Sequence, residues 1–321
     1  MKEVARNIYQ ITLPTPFLVG PINTYLIKSD VLTLVDTGPN TEEAYTSLKQ
    51  GLKKHNIELQ DIEIVLLTHH HPDHIGLLEK FIPTAKIYAH KKVIPWLKKE
   101  EIFLNRMSKF YQTLYKTNGV PKGIIELIEQ KTKKYLDFYS DGYVDNVLED
   151  GKNMDGLPEW SIFETPGHAQ SHVSFYRKSD GVMIAGDHLI EHISSNAIIE
   201  GPYGDESERP KTLLQYRNSL KKCRFVDIAF SGHGKTVYNP KQLIDLRLYE
   251  QVKKAQMFKS LIGHEPMTCF DICRKKYDHV FKRQPDLTFS ETLGHLDLLE
   301  DNNEIKKIII DDVIHYQLIS H

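Results

Sequence analysis

A short apolar segment that runs directly into a dense group of histidines limits how this chain can fold more than any other feature. Ile64-Val65-Leu66-Leu67 has the composition of a fully buried strand. It is followed at once by Thr68-His69-His70-His71-Pro72-Asp73-His74. A polar loop at the end of a buried strand holds functional side chains at the edge of a sheet, free of core packing. We therefore expect an α/β fold with its site at a sheet edge.

The spacing within this histidine group indicates metal ligands. His69 and His71 are two residues apart, so in an extended segment both point the same way and can bind one ion, while His70 points away. Asp73 and His74 follow a proline turn and can face a second ion at the start of the next helix. An affinity tag also contains histidines, but it has no Pro-Asp-His after an apolar strand. The segment thus predicts four ligands within six residues.

Three later loops repeat one pattern, in which a predicted strand ends in a potential ligand beside glycine. The three segments are Thr165-Pro166-Gly167-His168, Ala185-Gly186-Asp187 and Ser231-Gly232-His233-Gly234. His and Asp side chains are ordinary ligands of divalent ions. We expect His168, Asp187 and His233 to join the same metal centre.

The remaining chain alternates short strands with helices. Strands are predicted at 8–13, 23–28, 31–36, 161–165, 173–176, 182–185 and 228–230 from β-branched and aromatic runs between turn residues. A helix is expected over 40–54, after capping residues and early acids, and another over 239–261, where Asn239-Pro240 can begin it. This alternation is typical of an α/β domain.

Residues 91–140 predict a helical insertion. Phe103, Met107, Phe110 and Leu114 recur at spacings of three to four. Between residues 91 and 134 there are eleven Lys and Arg against four Glu, in a chain whose net charge is −2. This excess indicates either a solvated helix face or a basic cover that attracts anionic substrates.

The segment after Gly263-His264-Glu265-Pro266 predicts a small separate unit. Helices are expected at 271–277 and 290–300, and a hairpin at 305–310 and 313–319, which is the order of a winged-helix module. We therefore predict a catalytic domain over 1–262 and a winged-helix-like domain over 263–321. Residues 264–321 contain seven Lys and Arg against eleven Asp and Glu, so this module would repel nucleic-acid phosphates.

Composition excludes some classes of protein. The chain is 40% hydrophobic and 26% charged, and no apolar run approaches the ~18 residues of a membrane span. The first six residues are not followed by the apolar segment of a secretory signal. The three cysteines, Cys223, Cys269 and Cys273, have no paired zinc-ligand spacing. We expect a cytoplasmic protein with reduced thiols.

The order HxHxDH, then His, Asp and His resembles the metallo-β-lactamase superfamily over roughly residues 4–240. This resemblance implies an αββα sandwich with two metal ions. It implies that His69, His71 and His168 hold the first ion, that Asp73, His74 and His233 hold the second, and that Asp187 bridges them. Thr292-Leu293-Gly294-His295-Leu296 is similar to the winged-helix tail of a lactamase-like branch, and the glyoxalase II group is related.

The chemistry implied is hydrolysis by a hydroxide that bridges two divalent ions, with Asp73 orienting that hydroxide. Zinc suits this ligand set, and iron or manganese would accept much the same ligands. His188 departs from the commoner pattern, in which a small or hydroxyl residue follows the bridging Asp. It is either a substrate-binding or proton-donating residue or a packed structural histidine. Tyr203 and His192 are further candidates for substrate binding.

Three functions follow from these features. The first is hydrolysis of an ester or thioester of a small anionic substrate. The second is a metal-dependent ribonuclease, which the acidic C-terminal unit disfavours. The third is a non-catalytic assembly protein with a structural metal. β-Lactam hydrolysis and single-iron persulfide dioxygenation are disfavoured by the absence of an export segment and by the complete second ligand set. A homo-oligomer could form through the helical insertion or the winged unit.

Overall fold

Two sheets packed face to face, with helices on both outer sides, form the frame of the protein in a computed structural model that describes residues 1–154 and 156–319. The first sheet has seven strands in sequential order, antiparallel from β1 to β4 and parallel from β4 to β7. These strands are Lys2–Ala5 (β1), Ile8–Leu13 (β2), Ile22–Lys28 (β3), Leu32–Val35 (β4), Ile64–Leu66 (β5), Lys86–His90 (β6) and Asn146–Leu148 (β7).

The second sheet has five strands, and its strand order places the two ends that carry predicted ligands side by side. The strands are Asn153–Met154 (β8), Leu157–Glu164 (β9), Val173–Arg177 (β10), Val182–Gly186 (β11) and Ile228–Ser231 (β12). Their order is β12-β11-β10-β9-β8, with β11 and β12 parallel and the other pairs antiparallel. Because β11 and β12 are parallel neighbours, the loops after them leave from the same edge.

Nine α-helices are assigned within the described residues, together with three short 3-10 turns. The helices are Glu42–Lys53 (α1), Pro72–Ile75 (α2), Ile94–Leu97 (α3), Glu101–Thr117 (α4), Lys122–Leu136 (α5), Thr212–Lys222 (α6), Pro240–Leu261 (α7), Cys269–Phe281 (α8) and Pro285–Asp301 (α9). The 3-10 turns are Leu59–Asp61, Leu78–Lys80 and Lys91–Val93. None of the described helices combines the length and the apolar character needed to cross a bilayer.

Alternating side chains along the strands produce the layers. In β5, Ile64 and Leu66 lie in the core between the two sheets, whereas Val65 packs on the helical side of the first sheet. In β11, Ile184 faces the other sheet and Met183 packs against the outer helices. A strand period of two therefore fills three apolar layers at once. The αββα sandwich implied by the sequence resemblance is confirmed.

The predicted insertion is helical. Helices α3, α4 and α5 leave the first sheet after β6 and return to it at β7. Phe103 and Met107 of the predicted apolar stripe are buried, and Phe110 and Leu114 pack against the core while partly exposed. The stripe thus forms the contact face of α4, as its spacing indicated.

The C-terminal unit contains a third sheet with strand order β13-β15-β14, made of Met267–Thr268 (β13), Ile305–Ile310 (β14) and Val313–Leu318 (β15). The predicted hairpin is present as β14 and β15. The element order is compatible with a winged helix, and that assignment stays a prediction. The last two residues of the predicted 263–321 domain, 320 and 321, lie outside the described residues.

No break in the apolar core marks the predicted boundary at residue 262, which also stays a prediction. Helix α9 packs against both α6 and α7. Leu293 and Leu296 of α9 share one continuous core with Leu213 of α6 and with Phe258 of α7. The C-terminal unit therefore completes the outer layer of the second sheet.

Because Leu293 is 1% exposed within this shared core, we predict that Leu293→Ala lowers the free energy of unfolding by about 2–5 kcal/mol. Urea denaturation followed by circular dichroism measures the change. Leu246→Ala is the matched control, since Leu246 lies on α7 and is 46% exposed, and it should change stability by no more than about 0.5 kcal/mol. Equal effects of the two variants would contradict a continuous core.

Candidate metal centre

All seven predicted metal ligands meet at one edge of the sandwich. They are supplied by the loops after β5, β9, β11 and β12 and by the short helix α2. Each of the seven side chains is buried. Their ligand atoms form three overlapping groups, each able to hold a metal ion: His69 with His71 and His168, His69 with His74 and Asp187, and Asp73 with His74 and His233.

The first group consists of three imidazoles, in which one ring nitrogen of His71 lies within hydrogen-bonding distance of both other rings. Nδ1 of His71 lies 3.0 Å from Nε2 of His69 and 3.0 Å from Nε2 of His168. Burial, followed by the neighbouring imidazoles, lowers the pKa of His69 and His71 well below the usual value. The rings are therefore neutral, and closely spaced lone pairs of this kind suit a shared cation.

The second group combines a carboxylate with two imidazoles. Oδ2 of Asp73 lies 3.2 Å from Nε2 of His233 and 3.9 Å from Nε2 of His74. Burial opposes ionisation of Asp73, but His74 and His233 hold the pKa of this carboxyl below its usual value. Asp73 is thus a carboxylate at neutral pH.

Asp187 lies between the two groups. Its Oδ1 is 3.4 Å from Nε2 of His74, and its Oδ2 is 3.4 Å from Nε2 of His168 and 3.6 Å from Nε2 of His233. One carboxylate therefore faces ligands of both groups, the position expected of a bridging residue.

Three unsatisfied atoms show that these residues fit a metal. His74 Nε2, His233 Nε2 and Asp187 Oδ1 are buried and have no hydrogen-bond partner among the described residues. A buried polar atom without a partner costs about 1–3 kcal/mol. A divalent cation would satisfy all three atoms, and the set of imidazoles and carboxylates is the set such ions prefer. The types of donor atom, their short separations and their burial are all consistent with a metal-binding site.

Hydrogen bonds on the far side of the rings select which nitrogen faces the centre. Nδ1 of His168 lies 2.9 Å from the main-chain oxygen of Asn196, and Nδ1 of His233 lies 2.9 Å from that of Pro21. A carbonyl oxygen only accepts, so each Nδ1 carries the proton and each Nε2 keeps a lone pair directed inward. Ser195 Oγ also lies 2.9 Å from Nδ1 of His168.

Asp36 orients His74 and was missed in the sequence, where it was interpreted only as a strand end. His74 Nδ1 donates to Asp36 Oδ2 at 2.7 Å, and the main-chain N–H and the hydroxyl of Thr68 both donate to the same carboxylate at 2.8 Å. Burial opposes a charged ring, yet Asp187, Asp36 and Asp73 together raise the pKa of His74 well above its usual value. The signal in the sequence that could have revealed Asp36 was its position as an acidic residue directly after a buried strand.

His172 is a second residue that the sequence did not reveal. The main-chain N–H of Asp187 donates to Nε2 of His172 at 3.1 Å, and Nδ1 of His172 lies 2.8 Å from the hydroxyl of Thr165. Its ring centre is 5.0 Å from that of His69. His172 therefore fixes the backbone of the bridging residue. The feature of the sequence that could have pointed to His172 was its position four residues after His168.

Glycine beside the ligands is required by close approach. A Cβ on Gly232 would lie 2.3 Å from Oδ1 of Asp187, and Gly186 has a φ of +49°. A side chain at residue 232 would push Asp187 out of the centre, and residue 186 occupies a conformation that most residues avoid. The glycine-flanked pattern of the sequence thus has a steric cause.

The predicted substrate-binding residues lie outside the three ligand groups. His188 is fully buried, its ring centre is 5.5 Å from that of Tyr216, and burial lowers its pKa to about 3. The hydroxyl of Tyr203 donates to Oε2 of Glu200 at 2.5 Å and accepts from the indole N–H of Trp96 at 2.8 Å. His192 is exposed. The roles of His188, Tyr203 and His192 toward a substrate stay predictions.

We predict that Asp36→Asn weakens metal binding by about 10–100-fold, because an amide can donate to His74 and would allow the wrong ring nitrogen to carry the proton. Metal competition against a chromophoric chelator measures the affinity. Asp30→Asn, at an exposed turn in the same part of the chain, is the control and should bind as the unmodified protein does. Unchanged affinity in Asp36→Asn would show that His74 does not depend on Asp36.

Comparison with known proteins shows the family of this chain. The family profile described as the metallo-beta-lactamase superfamily matches residues 18–231. A Bacillus subtilis protein named probable metallo-hydrolase YqjP is 35% identical over 313 residues, which cover 97% of this chain and 98% of that protein.

Two solved structures share the fold. The metallo-beta-lactamase family protein TTHA1429 from Thermus thermophilus superposes with a TM-score of 0.81 at 23% identity, covering 99% of this chain and all of that one. A beta-lactamase domain protein from Burkholderia ambifaria gives 0.80 at 22% identity, covering 99% and 94%. The family resemblance drawn from the sequence is confirmed, while its particular branch stays a prediction. The chain belongs to the metallo-β-lactamase superfamily.

Proposed function

We propose that this protein is a dinuclear metal-dependent hydrolase that cleaves an ester or thioester of a small anionic substrate. The observation that carries the proposal is the position of Asp187, whose two oxygens face His74 on one side and His168 on the other at 3.4 Å. A structural metal site is closed and usually rich in cysteine, whereas this centre combines carboxylates with imidazoles. That difference favours catalysis over a purely structural role.

The proposed occupants are two divalent ions, and zinc is the ion that this ligand set suits best. One ion would be held by His69, His71 and His168. The other would be held by Asp73, His74 and His233, and Asp187 would bind both ions. Iron or manganese would accept much the same ligands.

A pair of divalent ions bound here would lower the pKa of a bound water to near neutrality. The ions would also polarise the carbonyl group that is cleaved. The protein contributes the remaining parts. Asp73 is ionised and can accept a hydrogen bond from the attacking water, which orients it. Asp36 holds the ring of His74, and His172 holds the backbone of Asp187. These residues therefore need not rearrange during the reaction.

A groove of about 1010 Å³ offers room for a substrate, although none of the seven candidate ligands is among the residues that line it. It runs between the helical insertion and the segment at Tyr203, and it reaches His172, which contacts Asp187. Lys91, Lys92 and Arg106 line it, and each offers a local cation to a carboxylate of the substrate.

Acidic residues in the same groove favour a small substrate over a nucleic acid. Four acids also line the groove, namely Glu100, Glu164, Asp205 and Glu206, and Glu206 pairs with Lys92 at 3.0 Å. A polyanion that followed this surface would meet charges of both signs, whereas a small molecule with one carboxylate needs only one local cation. The ribonuclease alternative is disfavoured on this ground and by the acidic C-terminal unit.

We also propose that the protein acts in the cytoplasm and that it can form a homo-oligomer. Cys223, Cys269 and Cys273 are buried free thiols, which suits a reducing cytoplasm. Ile102 of the insertion and Ile309 of the C-terminal hairpin are 87% and 75% exposed, so either region could contribute to a homo-oligomer.

We predict that the protein binds two equivalents of zinc and that His233→Ala binds one. His233 belongs only to the group of Asp73 and His74, so its loss should leave the group of His69, His71 and His168 intact. Elemental analysis after gel filtration gives the stoichiometry. Loss of both ions in this variant would mean that the two groups cannot be filled independently.

We further predict that the zinc-loaded protein hydrolyses S-lactoylglutathione and that Asp73→Ala lowers kcat by about 10²–10⁴-fold, the range of a general acid or base. Thermal denaturation of the variant checks that the fold is kept. Asp30→Ala, with its exposed carboxylate, is the matched control and should keep full activity.

Single-stranded RNA is the parallel substrate in this assay. Cleavage of RNA that is lost in Asp73→Ala, with no thioester turnover, would replace the proposed function by the ribonuclease. Absence of both activities from a protein that holds two ions would favour the non-catalytic assembly protein.

A further inference from the structure

Glu200 is a buried acid that belongs to none of the three ligand groups. It lies in the segment between β11 and α6 and is 2% exposed. Burial raises the pKa of its carboxyl to about 7, against the lowering effect of the hydrogen bonds that it accepts. A carboxyl group inside a protein costs free energy unless hydrogen bonds compensate it. The partners that compensate this cost indicate the role of the residue.

The first partner of Glu200 belongs to the loop that carries His168. Oε1 of Glu200 accepts a hydrogen bond from the main-chain N–H of Gln170 at 2.6 Å. Gln170 is two residues after His168, in the loop between β9 and β10. One oxygen of the carboxyl is thus bonded to the backbone of this ligand loop.

The second partner leads to the ligand loop 68–74. Oε2 of Glu200 accepts from the hydroxyl of Tyr203 at 2.5 Å, and the oxygen of Tyr203 accepts from the indole N–H of Trp96 at 2.8 Å. The indole of Trp96 stacks on the ring of His70, with centres 4.5 Å apart and planes 9° apart. The other oxygen of the carboxyl is thus connected to the middle of this loop.

The two ligand loops also contact each other directly. The hydroxyl oxygen of Ser171 accepts from the main-chain N–H of His70 at 3.2 Å and lies 2.8 Å from Nδ1 of the same residue. Ser171 follows Gln170 in the chain, so the series of contacts closes on itself. We call this closed ring the loop brace, and its members are Glu200, Gln170, Ser171, His70, Trp96 and Tyr203.

The loop brace joins the two loops that share the first ligand group. This group takes His69 and His71 from one loop and His168 from the other. The separation of the loops therefore sets the separation of the ligands. Ligands that are already held in place lose less conformational freedom when they bind, which increases the affinity.

We propose that Glu200 is a positioning residue, which fixes the two ligand loops relative to each other through the loop brace and so holds the first ligand group in place for its ion. Each of its two oxygens is bonded toward one loop, so removal of its side chain opens the brace. Ser171 and His70 then remain as the one link between the loops within the brace. The proposal rests on metal binding at this centre, as the proposed function does, but not on the identity of the substrate.

Competition for zinc between the full chain and a chromophoric chelator tests the proposal. Glu200→Ala removes both oxygens and should weaken the binding of at least one zinc ion by about tenfold. Glu200→Gln keeps an oxygen that can accept from Gln170, so it should bind zinc at least about threefold more tightly than Glu200→Ala does. Glu208→Ala, at an exposed position of the same segment, is the control and should stay within about twofold of the unmodified protein.

Cobalt in place of zinc separates positioning from stability. The visible absorption of bound cobalt depends on the arrangement of its ligands, so Glu200→Ala should change the spectrum and Glu208→Ala should not. A residue that only stabilised the fold would lower the melting temperature of the protein and leave the spectrum as it is.

Tyr203→Phe opens the loop brace at another point while it keeps the aromatic ring. It should weaken zinc binding at least about threefold, because the hydroxyl that joins Glu200 to Trp96 is lost. Should Glu200→Ala fail to fold, the result for Tyr203→Phe decides.

The proposal is overturned if Glu200→Ala keeps the zinc affinity or the cobalt spectrum of the unmodified protein, or if Glu208→Ala loses as much affinity. Unchanged zinc binding in Tyr203→Phe would equally overturn it. These outcomes leave the proposed function intact. An unmodified protein that bound no zinc would instead overturn the metal centre, and with it both the proposed function and the role of Glu200.

Discussion

Hydrogen bonds on the outer side of the candidate metal ligands are the constraint on which the arrangement of this centre depends. A neutral imidazole that binds a metal through one nitrogen carries its proton on the other nitrogen. Asp36 meets this requirement for His74, and main-chain oxygens meet it for His168 and His233. These acceptors come from the end of β4, from the segment after β11 and from the loop before β3. The bond from His233, which follows β12 of the second sheet, to Pro21, which precedes β3 of the first, therefore forms only when the two sheets are packed together.

The same requirement gives the C-terminal unit a role at the metal centre. The segment that orients His168 is held in turn by α9: the main-chain N–H of Ile199 donates to Ser290 Oγ at 3.3 Å, and the side-chain amide of Asn196 donates to the main chain of Leu287. Helix α9 is anchored in the shared core by Leu293. A change in α9 can therefore reach the first ligand group through two hydrogen-bonded steps, without any contact with the ligands.

The sequence predicted which seven side chains meet at the candidate metal centre better than it predicted the residues that support them, and the reason is physical. Histidine and aspartate beside glycine at strand ends are unusual enough to be recognised singly, as with His168 and Asp187. Asp36 acts on His74 across 38 residues, and no periodicity reports which distant side chains meet. Among secondary elements, β7 was missed because three residues are too short to show a pattern. Helix α6 was missed because its buried face includes polar residues such as Thr212 and Ser219.

His70 shows how a residue without a ligand role can still matter to the centre. Its position between His69 and His71 turns it away from the ligand groups, and its ring stacks on Trp96 with centres 4.5 Å apart and planes 9° apart. Trp96 belongs to the helical insertion and donates to Tyr203 at the wall of the groove. The metal loop, the insertion and the groove wall are thus joined by one chain of contacts. This explains why the insertion interrupts the first sheet directly after β6: from there its first helix can reach the outer face of the metal loop and fix it beside the groove.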